Sequence, residues 1–108
     1  MSKFVIKRSK DNQFYFVLVA NNGEVILTSE TYKRKRDSVR GVRAVRRAVE
    51  FGFFSKKANG MGDFYFRLYP RNYRIVGISQ MYNSREAVEK GIEAVRRYAP
   101  TAPITFDL

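Results

Sequence analysis

The 108 residues carry 21 lysines and arginines against 10 aspartates and glutamates, a formal net charge of +11, and include no histidine, cysteine or tryptophan. Thiolate and imidazole metal sites, cysteine nucleophiles, disulfides and Ser-His-Asp triads are excluded by that inventory, whereas 44% hydrophobic residues with nine Phe and seven Tyr suffice for a core and argue against disorder. No apolar run approaches the roughly 18 residues of a membrane span and no signal-like stretch follows Met1-Ser2-Lys3, so a soluble, cytoplasmic protein without a cofactor is expected.

Phe4 and Ile6 alternate with Lys3, Val5 and Lys7, and Phe14, Phe16 and Leu18 alternate with Tyr15, Val17 and Val19; this period of two predicts two strands. Asn22-Gly23 separates Phe14–Ala20 from Val25–Leu27, which predicts a tight hairpin turn and a third strand. From about Lys35 the apolar spacing lengthens to three and four, through Val39, Val42, Val45 and Val49, the mark of a helix with one buried face. Phe51 to Lys57 has no linker character and predicts a strand shared between two halves. Strands resume at Phe64, Phe66 and Leu68, and Val88, Ile92, Val95 and Ala99 predict a second helix, capped by Ser84 and ended by Pro100. Ile104-Thr105-Phe106-Asp107-Leu108 alternates like a last strand at a sheet edge.

These elements repeat. An offset of 50 residues aligns the halves without a gap: Gln13-Phe14-Tyr15-Phe16-Val17-Leu18 on Asp63-Phe64-Tyr65-Phe66-Arg67-Leu68, Asn22 on Asn72, Ser29 on Ser79, Tyr32 on Tyr82, and Gly41-Val42-Arg43-Ala44-Val45-Arg46-Arg47 on Gly91-Ile92-Glu93-Ala94-Val95-Arg96-Arg97. One compact domain over 1–108, built from repeats 1–50 and 51–108, is expected. Positions alike in both copies should serve the shared fold, and positions that differ are free to carry function. Gly41 and Gly91 each cost a helix interior about 1 kcal/mol relative to Ala, so a close approach of helix to sheet or to its twin should compensate.

The segments Phe-Val-Ile, Gln-Phe-Tyr-Phe-x-Leu, Ala-Asn-Asn-Gly-Glu-Val-Ile, Ser-x-x-Tyr and a helix with Gly-Val-x-Ala-Val together resemble the YegP-like tandem-repeat family of small bacterial proteins, from Lys3 to about Pro100. The resemblance implies an α+β fold: two β-β-β-α(-β) repeats forming one continuous antiparallel sheet, each lending its last strand to the other, with both helices on one face and pseudo-two-fold symmetry. It also implies a fused pseudo-dimer that is itself monomeric, and brings no established activity, cofactor or catalytic residue. This chain departs from the family in being strongly basic and in replacing the Asn-Gly turn by Asn72-Tyr73 in its second half.

The excess charge leans to the first half, where Lys33-Arg34-Lys35-Arg36 is followed by Arg40, Arg43, Arg46 and Arg47. On a helical wheel centred on Val42, Arg36, Arg40, Arg43 and Arg47 lie roughly 100° to 160° from the buried face, one outward stripe. Such a stripe is ordinarily a solvated face. The second helix, however, carries Glu86, Lys90, Glu93 and Arg97 at the equivalent positions, a mixed pattern in which ion pairs with Lys90 and Arg97 are expected. Like charges at helical spacing, and cations near a helix N-terminus, both oppose folding, and a bound anion would relieve both. Arg46 and Arg96, identical in both copies and close to the buried face, should instead lay their stems on the core edge.

A second basic cluster, Arg67, Tyr69, Arg71 and Arg74, falls around the next hairpin, and strand alternation puts Tyr65, Arg67 and Tyr69 on the face away from the helices, where Tyr and Arg can stack bases or simply pair across strands. Tyr15, Val17 and Val19 occupy those places in the first half and predict an apolar patch on the open face. The expected function is therefore non-catalytic: sequence-tolerant binding of nucleic acid, DNA or RNA, by Lys33, Arg34, Lys35, Arg36, Arg40, Arg43, Arg47, Arg67, Tyr69, Arg71 and Arg74. The alternative is a protein-interaction or inhibitor module that binds an acidic protein surface through the same arginines and the Tyr15/Val17/Val19 face. Membrane binding is not expected, because the outward face of the first helix has no apolar insertion surface.

Overall fold

The computed structural model describes residues 1–72 and 74–108. Alternation and turn chemistry produce strands β1 (Lys3–Arg8), β2 (Phe14–Val19) and β3 (Val25–Thr28), followed by helix α1 (Lys35–Phe51). The second half gives β4 (Phe53–Ala58), β5 (Phe64–Tyr69), β6 (Gly77–Ile78), α2 (Arg85–Tyr98) and β7 (Ile104–Asp107). All seven strands form one sheet in the order β4-β5-β6-β3-β2-β1-β7.

The halves meet where β3 pairs antiparallel with β6, with Thr28 opposite Ile78. These two residues are equivalent under the 50-residue offset, so the pseudo-two-fold axis passes between them. Next to it, Leu27 is fully buried and its equivalent is Gly77, where an added Cβ would lie 2.7 Å from the Leu27 Cγ. A large residue meets a small one at the place where strict symmetry would set two leucines against each other.

Inward positions of the strands, among them Phe4, Ile6, Phe16, Leu18, Phe66 and Leu68, pack against Val42, Val45, Val88, Ile92 and Val95 of the helices. The helices thus cover one face of the sheet and leave the other open. The residues shared by both halves explain themselves. Ser29 and Ser79 are buried; each hydroxyl accepts from a strand N–H, of Phe16 or Phe66 at 2.9 Å, and donates to the carbonyl of the following residue, Glu30 or Gln80. Tyr32 and Tyr82 exchange backbone hydrogen bonds with Phe14 and Phe64, fastening the approach to each helix onto the sheet. Their rings also account for the helix glycines: a Cβ at position 41 would lie 2.5 Å from the Tyr32 hydroxyl and 2.8 Å from Phe16, and at position 91 it would meet Tyr82. The close neighbour is a tyrosine side chain.

Four expectations are corrected. The sheet is antiparallel everywhere except at one edge, where β7 runs parallel to β1, because α2 returns the chain to the end of the sheet at which β1 begins; there the Phe4 N–H donates to the Pro103 carbonyl at 2.8 Å. The turn at Asn22-Gly23 is not a two-residue one: the Gly23 N–H bonds to the Ala20 carbonyl, and Gly23 alone takes a positive φ, 86°, while the Asn22 carboxamide accepts from the Glu24 N–H. Phe51 belongs to α1, and the strand foreseen from it begins at Phe53. The apolar patch on the open face is smaller than expected, since Val17 is 5% exposed while Tyr15 and Val19 stay half-buried.

The seam makes a specific demand. Gly77→Ala should destabilise the protein by about 1–3 kcal/mol in urea unfolding, as overpacking does, and Leu27→Val in the same chain should recover part of that loss. Additive effects of the two changes would show that the Leu27–Gly77 contact does not set the seam.

Candidate nucleic-acid interface

Helix α1 begins badly by the rules of isolated helices. Arg34 occupies the N-cap position and makes no side-chain capping bond, and no cation occupies the last turn. Helix α2 is its opposite: Ser84 Oγ accepts from the Ala87 N–H at 3.1 Å, Glu86 lies in the first turn, and Arg96 and Arg97 lie in the last. The charges of α2 follow its dipole, whereas in α1 Asp37 in the first turn is outnumbered by Lys35 and Arg36 beside it and no cation balances the other end. The ion pairs expected on α2 are not formed with Lys90 or Arg97. Glu89 pairs instead with Lys56 of β4, because that lysine projects from the sheet edge toward the helix.

Beside α1 lies a groove of about 980 Å³, walled on one side by the helix and on the other by the connection between β5 and β6. Lys33, Arg40, Arg47, Arg71 and Arg74 line it, together with the carboxylates of Glu30 and Asp37. Arg40, largely in solvent, lies 4.0 Å from the half-buried Asp37, a pair worth little in energy at that distance and exposure. Among the described residues the other four groove cations form no ion pair within 4.0 Å. Burial first, and then the Glu30 carboxylate, push the Tyr32 hydroxyl above its usual range against the pull of Arg74, so this groove tyrosine is a donor at neutral pH.

The eleven candidate residues are thus distributed unevenly. Five converge on the groove. Arg36 and Arg43 are exposed on α1 outside it, Arg34 is exposed at the N-cap, and the Lys35 ammonium sits 5.4 Å from the ring centroid of Phe106 at the β7 edge. Arg67 and Tyr69 are on the opposite face of the sheet. There the Arg67 Nη1 donates to the Tyr69 hydroxyl at 3.4 Å and the guanidinium lies 5.8 Å from the Tyr65 ring; the Tyr69 hydroxyl, then Tyr65, raise its already high proton affinity. Tyr69 stacks on Phe53 at 5.2 Å. The predicted basic hairpin is therefore divided between the two faces, and Tyr73 at its tip lies outside the described residues. Arg46 behaves as its wheel position foretold: it lies over the Phe4 ring, and its guanidinium donates to the Ala99 and Ala102 carbonyls at 3.2 and 2.6 Å, fastening α1 to the turn before β7. Its equivalent, Arg96, lies over Phe54.

Four groove residues that could meet a ligand escaped the sequence reading: Glu30, Tyr32, Asp37 and Phe51. For Phe51 a signal existed, since its counterpart at the 50-residue offset is Thr101. Among the described residues no helix is long and apolar enough to cross a membrane.

Comparison with known proteins identifies the fold. The family described as a domain of unknown function, DUF1508, matches residues 9–50 and again 61–105. Over 46 residues the chain is 52% identical to a UPF0339 protein of Pseudomonas aeruginosa, and over 43 residues 54% identical to the UPF0339 protein YegP of Escherichia coli K12. These alignments cover 43% and 40% of this chain and 42% and 39% of the relatives, so the match spans about two fifths of each relative's length. The solution structure of the E. coli protein of unknown function yegP superimposes with a TM-score of 0.90 at 38% identity, over 98% of this chain and 92% of that one. A UPF0339 protein of Shewanella oneidensis gives 0.90 at 36%, over 97% and 90%.

The two helix starts offer a direct test of what the charges cost. Ser84→Ala should lose about 1 kcal/mol, and Arg34→Ser should gain a comparable amount in ligand-free protein, read as opposite shifts of Tm of about 4–8 °C. An unchanged Tm for Arg34→Ser would mean that the α1 terminus is already satisfied.

Proposed function

We propose that this chain, which belongs to the DUF1508 family, is a non-catalytic nucleic-acid-binding protein whose arginine-bearing helix and basic β5–β6 connection make largely sequence-independent phosphate contacts. One observation carries the reading. Cations far apart in sequence, Arg40 and Arg47 on α1 and Arg71 and Arg74 after β5, line a single groove, although nothing in the repeat requires it. The equivalents of Lys33, Arg71 and Arg74 in the other half are Asn83, Asn21 and Glu24. Arg40 and Arg47 do have cationic counterparts, Lys90 and Arg97, so the one-sided charge is that of Lys33, Arg71 and Arg74 in the groove and, on α1 outside it, of Arg36 and Arg43, whose counterparts are Glu86 and Glu93. Polyanion binding repays such charge, because each phosphate contact releases a condensed counterion. Arg36 and Arg43, outside the groove on α1, extend the same surface.

An acidic protein surface would satisfy the cations equally, but that reading also needed an apolar contact face. Val17, at the centre of that face, is covered and Tyr15 and Val19 are half-buried, so the cations of the groove carry more of the reading than the apolar face does, and nucleic acid is preferred.

Anisotropy titration of labelled duplex DNA, single-stranded DNA and RNA at two salt concentrations tests the proposal. Five groove cations should give a slope of log affinity against log salt of about −3 to −5. Giving α1 the charges of α2, by Arg36→Glu, Arg40→Lys and Arg43→Glu, should weaken binding at least about tenfold and flatten the slope while circular dichroism stays unchanged. Binding indifferent to the three changes would remove Arg36 and Arg43 from the surface, and a salt slope near zero would sink the phosphate contacts altogether and redirect the search to an acidic protein partner.

A further inference from the structure

We infer that the groove takes a single strand of nucleic acid, with one base seated on the ring of Phe51, and not the outside of a duplex. The inference rests on the nucleic-acid reading above and narrows it to a ligand class. Phe51 is the last residue of α1, lines the groove and is 54% exposed, and the Arg71 guanidinium sits 6.0 Å from its ring centroid. A phenyl ring left in water among arginines gains nothing from phosphates. It gains from a flat π surface, and a guanidinium lying near the same ring can close over the other side of an inserted base. Duplexes bury those base faces in their stack and present phosphates and sugars outward, whereas single strands expose them.

The groove carboxylates point the same way. Glu30 and Asp37 repel a polyphosphate chain, and would be a defect in a site that binds backbone alone. Against a splayed base or a ribose they are acceptors for exocyclic amines, ring N–H groups or the 2′-hydroxyl. The groove therefore combines three kinds of group: cations for phosphate, an aromatic–guanidinium pair for a base face, and acceptors for polar edges. At the equivalent places the other half has Thr101 for Phe51, Asn21 for Arg71, Ala87 for Asp37 and Gln80 for Glu30. The aromatic–guanidinium pair and both carboxylates are absent together there, while Lys90 and Arg97 keep two of the cations, as expected if the ring, its guanidinium and the carboxylates serve one ligand.

The test compares oligo-dT and oligo-rU of about twelve nucleotides with a duplex of the same length and with inorganic polyphosphate, using the full chain. The variants are Phe51→Thr, which installs the counterpart residue, Phe51→Leu, which keeps the apolar bulk without the π face, and Phe51→Tyr. Wild-type protein should bind the single strands more tightly than the duplex. Phe51→Thr and Phe51→Leu should each weaken both oligonucleotides about tenfold and leave polyphosphate binding within about twofold, and Phe51→Tyr should restore wild-type affinity. Equal affinity for duplex and single strand, or losses that are the same for polyphosphate as for oligonucleotides, would overturn the base seat while leaving phosphate binding intact. Absence of binding to all four ligands would overturn the nucleic-acid reading itself.

Discussion

Everything about this molecule depends on how two copies of one unit share a seam. Strict two-fold symmetry would place identical side chains opposite each other where β3 meets β6, and the core has room for one leucine there. Leu27 fills the space that Gly77 leaves, with a would-be Cβ 2.7 Å from Cγ. The pairing of β3 with β6 makes the sheet continuous across the axis, and α1 of the first half then lies beside the β5–β6 connection of the second. The basic groove is a consequence of this placement: neither half contains it alone.

Around the seam, residues preserved in both copies and residues that differ have separate tasks. Ser29 and Ser79 satisfy buried backbone groups, Tyr32 and Tyr82 close the helix approaches against glycine, and Arg46 and Arg96 lie over equivalent phenylalanines. The differences cluster at two places. At the sheet edges, β1 is covered by β7, and the inward residue Ile6 is fully buried; at the equivalent edge β4 has β5 on one side only, and Ile6 is replaced by Lys56, ion-paired with Glu89. A charge facing inward on an end strand discourages further pairing, so that divergence protects the fold. The groove cations protect nothing. On α1, Arg40 and Arg47 form like-charge pairs at helical spacing with Arg36 and Arg43, each weakening the helix by about a few tenths of a kcal/mol, a cost the buried faces of the helices can absorb but do not require.

Much of this was legible in the sequence, because period-two and period-3.6 patterns report burial and burial is what folding fixes. Helix and strand positions, the 50-residue repeat and the role of Arg46 all followed from side-chain spacing. Pairing direction did not, since Ile104-Thr105-Phe106-Asp107 alternates identically whether it runs with β1 or against it. Nor did the division of the basic hairpin: alternation carries Arg67 and Tyr69 to the open face as read, but stops at Tyr69, and the connection then turns Arg71 and Arg74 toward α1. At Phe51 an aromatic run reads as strand, while the helix hydrogen bonds continue past it and the Gly52 N–H still bonds to the Ala48 carbonyl. Periodicity sees which face is covered, and a groove between elements distant in sequence lies beyond its reach.

The covalent joining of the two units has a consequence for where a site can arise. A homodimer of a single unit must carry every residue twice, so an arginine added beside one helix is added beside the other, and both helix starts pay in dipole and like-charge energy. Within one chain the copies diverge independently. Here α2 keeps Ser84, Glu86 and a cationic last turn, an arrangement that favours its folding, while α1 gives up its cap and gathers arginine. The half whose helix follows its dipole and the half whose helix gathers arginine share one core, so burial that is common to both offsets the unfavourable charge of one.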